Sequence, residues 1–450
     1  MSGYQVEGGF NGPGEPANNW VQWERSGKVE PSGIAIDFWN RAEEYLDRTV
    51  ALGCDMVRIG VEWARVEPDE GAVDKEALER YGAILDAARE RGLEPLVTLH
   101  HFTHPAWLGG DFWLSSESPT RYAEWVRLAV DNLGSRCSNW VTLNELNLLA
   151  PATYMFGKFP PGRRMSPSDT AVAADHLLSA HVKGYEAIHE VQPDATVTTN
   201  NASASIYEID RIYVDVLDAR ASGVARDGLR RHIAERRQEW YENIAAPSAL
   251  EGLVRARSAA RAPSLDRAAE SVYSSPFERC LDVVSLDYYD PVASHHVRMP
   301  GRRTAGGRNW SPETPIWDDV EHPEGLTAYL RASALEGAGI WIAENGLCNR
   351  VRRGRSYDRL DGFDRPRFLK ESIAATVTAL EAGIPVSAYL HWSLVDNYEW
   401  GSYEPRFGIH GVDRERGGKV LDTDAMGNDS AGAFRRIVQG LRSGDRSVLA

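Results

Sequence analysis

The sequence predicts an α/β fold: a (β/α)8 TIM barrel, a single domain over residues 1–450 with long loop insertions. Three observations carry this. Eight short apolar runs alternate with stretches of helix length. Strands separated by such helices pair in parallel through right-handed crossovers. Each run also delivers a polar or aromatic residue at its carboxyl end, the reactive face of a closed barrel. An open doubly wound sheet is the alternative on pattern alone.

The first run, residues 2–8, begins almost at the amino terminus. The second, 56–63, follows an amphipathic stretch over 38–52 that Gly53 closes. The third, 94–101, follows a helical stretch over 75–91 closed by Gly92, and the fourth, 140–145, follows 119–133 with Gly134 next. The fifth, 196–203, comes after 171–191 with Pro193 between, and the sixth is 282–289. The seventh, 341–346, follows 325–335; the eighth, 386–393, follows 367–382 with Gly383 and Pro385 as stops. A last amphipathic stretch, 429–441, closes the series. Two segments exceed what a barrel needs. Residues 206–277, rich in Arg and Ala, are expected to be helical over 224–246 and loosely ordered over 255–269. Residues 291–322 follow the sixth run and hold several Gly and Pro. Long loops on the reactive face often form a substrate pocket; surface packing is the plainer reading.

Composition narrows the function. An apolar content of 42% with 26% charged residues is ordinary for a globular protein. The net charge of −15 weighs against nucleic-acid and anionic-membrane partners. Cys54, Cys137, Cys280 and Cys348 stand apart with no C-x-x-C pair, as small hydrophobes of a reducing compartment do. No signal-peptide pattern is visible, and no apolar run approaches the ~20 residues of a membrane helix. The expectation is a cytoplasmic protein, with homo-oligomerisation left open.

Two carboxylates stand out. Glu145 ends Trp140-Val-Thr-Leu-Asn-Glu145 and Glu344 lies in Trp341-Ile-Ala-Glu-Asn-Gly346; each follows a strand-like run and has an Asn beside it. Brought together on one barrel face, two Glu provide the proton donor and nucleophile of retaining glycoside hydrolysis, at roughly 5–5.5 Å; inversion needs a wider gap. A strand-end Glu taken alone is more often a capping or ion-pairing residue. The other run ends carry Gln5, Arg58, Glu62, His100, His101, Asn200, Asp287, Tyr289 and Trp392, a set suited to hydroxyls and to the apolar face of a neutral sugar. His100, His101 and His104 do not read as a zinc site, because neighbouring strand residues point to opposite faces. Arg350, Arg352, Arg353 and Arg355 read as a solvated face, or more sharply as a site for an anionic leaving part.

The ordered motifs resemble glycoside hydrolase family 1, the β-glucosidase and β-galactosidase family of (β/α)8 barrels. They are Tyr4-Gln-Val-Glu-Gly8, Arg58 with Glu62-Trp-Ala-Arg65, Thr98-Leu-His-His-Phe102, Thr142-Leu-Asn-Glu145, Leu286-Asp-Tyr-Tyr289, Ala343-Glu-Asn-Gly346, His391-Trp-Ser-Leu-Val-Asp-Asn-Tyr-Glu-Trp400 and Arg406-Phe-Gly408. The stretch between Asn18-Asn-Trp20 and Val61-Glu-Trp63 is more similar to the archaeal-type branch than to the plant-type one. The resemblance implies Glu145 as acid/base, Glu344 as nucleophile, Arg58 as the cation beside Glu344 and Tyr289 as its orienting group. It implies Asn144 on the sugar 2-hydroxyl, Gln5, His101, Glu399 and Trp400 on other hydroxyls, Trp392 stacked under the ring, Phe102, Asp287 and Phe407 in the substrate pocket, and neither metal nor organic cofactor. The substrate expected is a small β-D-glucoside-like glycoside; a transglycosylase or a non-catalytic sugar-binding protein are the alternatives.

Three positions depart from the pattern. Leu146 stands for a usual Pro, Phe102 for a usual Trp, and Asp287 for a usual Asn. Phe102 lacks an indole donor near the sugar 3-hydroxyl. Asp287 adds a third carboxyl that either raises the pKa of Glu145 or binds a substrate amino group, so an unusual sugar or aglycone is expected. The Ser/Lys cluster of the 6-phospho branch is not seen over 401–406 and Trp400 is kept, against a 6-phosphosugar.

Overall fold

The computed structural model describes residues 1–244, 265–290, 292–294, 318–353, 355–414 and 417–450. Seven strands form one sheet, each paired with the next in chain order: β1 (Met56–Gly60), β2 (Glu94–Thr98), β3 (Asn139–Asn144), β4 (Thr196–Ala202), β5 (Val283–Tyr288), β6 (Gly339–Asn345) and β7 (Val386–Tyr389). Every pairing is parallel, as helical crossovers require. The helices Phe38–Ala51, Lys75–Glu90, Ser118–Leu133, Pro167–Val191, Gly325–Ser333 and Arg365–Glu381 separate strands, and Ser430–Arg442 follows the last. Local chemistry sets their ends. Asp74 accepts the Ala77 amide and Asp364 the Arg367 amide, each satisfying an orphan donor of a first turn. Gly92, at φ 74°, turns the chain from a helix into β2 where a Cβ would be strained.

The sheet curls on itself. Leu96 of β2, Val141 of β3 and Trp341 of β6 pack in one interior cluster with Met56 of β1, Val283 of β5 and Ala388 of β7. Side chains from strands that far apart in an open sheet cannot meet. A closed interior filled in layers is the TIM-barrel arrangement. The outward faces, among them Ile59, Val97, Leu143 and Ile342, join the main core beneath the helices.

One expected strand is absent. Residues 3–6 of the first run form a short helical turn (Gly3–Val6), with the Glu7 amide donating to the Gly3 carbonyl at 2.8 Å. The run that suggested a strand misleads because Gly3, Tyr4, Gln5 and Val6 are all buried, so no face is turned to solvent. Only Met1 lies along β1: its ammonium donates to the Arg58 carbonyl at 2.7 Å, and the Gly60 amide donates to the Met1 carbonyl at 2.8 Å. A cavity of about 400 Å³ separates the edge strands β1 and β7, lined by Met1, Met56, Arg58, Ala388 and Tyr389 among others.

The first insertion is largely helical in its described part, with Tyr207–Asp210, Ile212–Asp218, Leu229–Asn243 and Asp266–Ser274. The expectation of loose order over 255–269 therefore fails for 266–269, while 255–264 lie outside the described residues. The helix from Asp266 starts where Asp175 accepts the Arg267 and Ala268 amides at 3.2 and 2.8 Å, a cap supplied from another helix. Most of the second insertion, 295–317, is also outside the described residues. Among the described residues no helix is long and apolar enough to cross a membrane.

Candidate active site

The strand ends converge on Arg58. Buried at the middle of β1, it donates from Nε to Thr98 Oγ1 at 2.8 Å, from Nη1 to Glu344 Oε1 at 2.5 Å and from Nη2 to Asn144 Oδ1 at 2.5 Å. One guanidinium thus ties together β1, β2, β3 and β6, which a planar fork of donors can do and an ammonium cannot. Tyr289, just past β5, donates its hydroxyl to Glu344 Oε2 at 2.7 Å. Both oxygens of Glu344 are therefore held, one by a cation and one by a phenol, although the residue is only 4% exposed.

Glu145 is treated differently. It sits between β3 and the helix Leu146–Tyr154 with φ 40° and ψ 52°, a left-handed conformation that costs a non-glycine residue free energy and occurs preferentially at functional positions. Among the described residues no cation bonds its carboxyl. Burial and the charge of Glu344 push its pKa up to about 8, against a smaller opposing pull from Arg58. The site thus gives a cation to one carboxyl and only burial to the other, the unequal treatment by which paired carboxylates are assigned as nucleophile and acid.

A polar layer continues from this pair. Asn144 Nδ2 meets His101 Nε2 at 3.1 Å, and Asn200 Nδ2 donates to Asn144 Oδ1 at 2.7 Å and to Asp287 Oδ2. Burial keeps His101 neutral, well below its usual pKa, with Arg58 opposing its charge as well. Its ring stacks on those of Trp400 and Trp392, at 5.5 and 5.9 Å between centroids. Trp392 Nε1 donates to Glu399 Oε1 and Gln5 Nε2 to Glu399 Oε2, both at 3.2 Å. Glu399 is pushed up to about 8, chiefly by burial. Gln5 reaches this point from the helical turn that replaced the expected strand, also donating to the Tyr398 carbonyl at 2.9 Å. Phe102 is enclosed by Phe159 and Trp400, with centroids 4.9 and 4.8 Å away, and Phe407 lies edge-on to Tyr289 at 5.9 Å. The thirteen site residues expected from the sequence thus gather in one connected region around the carboxyl ends of the strands, ten of them buried and Tyr289, Glu399 and Trp400 partly exposed.

That order of motifs, on that barrel, matches the model of "Glycosyl hydrolase family 1" over residues 1–422. The chain belongs to glycosyl hydrolase family 1. It is a glycoside hydrolase, similar to a 6-phospho-β-galactosidase of Clostridium acetobutylicum and to β-glucosidase A of Thermotoga maritima, each 27% identical over 91% of this chain and 90% of the relative. A β-galactosidase of Sulfolobus acidocaldarius is 26% identical over 92% of this chain and 89% of its own. A solved structure of the Thermotoga maritima β-glucosidase with castanospermine superposes with a TM-score of 0.73 at 24% identity, covering 98% of this chain and 96% of that one, and it supports the barrel fold.

The parts played by two residues escaped the sequence reading. Thr98 and Asn200 were visible only as strand-end residues; nothing in their neighbours signals that one anchors Arg58 and the other joins Asn144 to Asp287. In the basic run beyond Glu344, Arg350 lies 3.4 Å from Asp318, while Arg353 is exposed as a solvated face requires. Among the described residues no three His, Cys, Asp or Glu side chains are grouped to hold a metal. His100 is buried beside His104, at 6.4 Å between rings, and burial keeps both neutral.

Proposed function

We propose that this family 1 enzyme is a retaining β-glycosidase that cleaves small, neutral β-glucoside-like substrates by double displacement. The observation that carries this is the unequal treatment of the two glutamates: Arg58 and Tyr289 each hold one oxygen of Glu344, while among the described residues no cation bonds Glu145, which keeps its proton. Glu344 attacks the anomeric carbon and forms a glycosyl ester as the bond to the leaving oxygen breaks; that oxygen takes the proton of Glu145. Glu145, now a carboxylate, removes a proton from water, whose oxygen bonds the anomeric carbon and returns Glu344 to a free carboxylate. Asn144, pinned by Arg58 and Asn200, presents its amide toward the sugar. Gln5, Trp392, Glu399, Trp400 and His101 form the sugar cradle, with Phe102 and Phe407 as its apolar wall.

Relatives named for glucosides and galactosides support a neutral β-glycoside. One relative is named for a 6-phosphosugar. Here Gln5 and Trp392 both donate to a buried carboxyl, Glu399, whose oxygens leave little to attract a phosphate. The whole of residues 1–450 is read as one catalytic unit, with 206–277 and 291–322 as insertions. The test is a mechanism-based 2-fluoro glycoside. It should trap the ester on Glu344, seen as a mass shift mapped to the peptide carrying Ala343-Glu-Asn-Gly346 and absent from Glu344→Gln. Turnover of a good β-glucoside with no trapped ester, or with inversion at the anomeric carbon, would refute the reading.

A further inference from the structure

The active site holds a third carboxyl with no evident employment. Asp287, at the end of β5, is fully buried and paired in register with Glu344 of β6. Its Oδ2 accepts a hydrogen bond from Asn200 Nδ2. Its Oδ1 has no other hydrogen-bond partner among the described residues, and its carboxyl lies against that of Glu145. Three carboxyls therefore share a water-excluded space with one guanidinium, and all of the hydrogen bonds of that guanidinium go to Glu344, Asn144 and Thr98. The remaining neighbours do not balance the charge. Tyr289 donates to Glu344, and His101 is neutral. Burial and the charge of Arg58 push the Met1 amino group down to about 5, so it adds no positive charge at neutral pH, and it bonds the Arg58 carbonyl.

Two adjacent buried carboxyls without a cation do not both ionise. We propose that Asp287 is a positioning residue that retains a proton of its own and presents it to Glu145 as a hydrogen bond. This rests on the assignment of Glu145 as acid/base made above. Asp287 is the partner that keeps the proton because it is the more deeply enclosed of the two and faces both other carboxyls; burial and those two charges hold its pKa well above the usual carboxylate range. The arrangement matters when Glu145 has given its proton to the leaving oxygen. The carboxylate so formed meets a donor already in place, where water is excluded, and then accepts a proton from the incoming water. Asp287 loses no proton in either step; it acts only through Glu145.

The charge state separates this from other roles. Asparagine at 287 also offers a donor and carries no charge, whereas leucine has a similar shape and no donor. The pH dependence of kcat/KM is to be measured for wild type, Asp287→Asn and Asp287→Leu with one aryl β-glycoside, on protein first shown to trap the 2-fluoro ester on Glu344. Whatever happens to kcat, the alkaline limb of Asp287→Asn should stay within about 0.3 pH unit of wild type, and that of Asp287→Leu should move up by about one unit, as loss of a hydrogen bond to the charged form dictates. A limb that falls by about a unit or more in Asp287→Asn would overturn the proposal, because it would mean that a negative charge had been removed. So would a limb that stays in place in Asp287→Leu, or a selective loss of amino-bearing substrates in Asp287→Asn, which would mark an ionised amine site. If Asp287→Leu does not fold, Asp287→Ala takes its place, and the asparagine arm still reads the charge. Failure of wild type to trap the ester would instead sink the retaining mechanism and leave Asp287 aside.

Discussion

Replacing Arg58 by methionine should destabilise the fold mainly through what it leaves behind. Three hydrogen bonds disappear, at 2.8, 2.5 and 2.5 Å. Counted as ordinary net contributions, these amount to about 3 kcal/mol at most. The larger consequence is a Glu344 carboxylate whose side chain is 6% exposed and has lost the one cation bonded to it among the described residues. Breaking a buried pair in this way costs about 3–5 kcal/mol, because the stranded charge keeps its desolvation penalty. For 450 residues unfolding together, about 1 kcal/mol corresponds to each degree of melting temperature, so Arg58→Met should melt about 3–5 °C lower. The decisive arm is the double variant. In a Glu344→Gln background there is no carboxylate to strand, and Arg58→Met should cost only about 2 kcal/mol there, for the bonds to Thr98 and Asn144, a coupling of about 1–3 kcal/mol by a double-mutant cycle. Chemical denaturation of the four proteins measures it. Equal costs in both backgrounds would refute the claim that the ion pair, and not packing around Arg58, is what holds β1 to β6.

Three further outcomes are expected. Activity depends on a protonated Glu145, so kcat/KM should fall as pH rises through about 8, the value to which burial and Glu344 push that carboxyl; a pH–rate profile flat to pH 9 would contradict it. Glu62, buried beside Thr103 at 2.7 Å, is pushed up to about 7, chiefly by burial. The folded form then binds more protons than the unfolded chain between the ordinary carboxylate value and about 7, so stability falls as pH rises across that window. Glu62→Gln should therefore lose less stability than wild type between pH 5 and 7 in denaturant titrations. Gly346 faces the Trp392 carbonyl so closely that an added methyl would overlap that oxygen. Gly346→Ala must displace backbone at the sugar cradle, at about 1–3 kcal/mol or more, and should raise KM as well as lower the melting temperature.

Much of the barrel was legible because its signals are local. The 3.6-residue periodicity, the glycines after helices and the apolar runs at β1 to β7 each depend on neighbours within a few residues. The exception instructs: Tyr4-Gln-Val alternates as a strand does, yet both faces of that segment are buried, and a pattern of two cannot distinguish a half-exposed strand from an enclosed turn. Gln5 still reaches the sugar cradle, because its position depends on contacts with Tyr398 and Glu399, far along the chain. The helix from Asp266 was likewise invisible, its cap being supplied by Asp175, 91 residues earlier.

The sequence by itself determined which residue types stand at the strand ends, and hence the candidate chemistry: two glutamates, a cation, amides and aromatic rings. It could not determine their protonation. Glu145 and Glu344 are the same side chain in similar local settings, each after a strand and beside an Asn. Only the fold made them different, by bringing Arg58 and Tyr289 to one and Asp287 to the other. Charge interactions act through space and are amplified by burial, so which carboxyl keeps its proton is a property of the closed barrel.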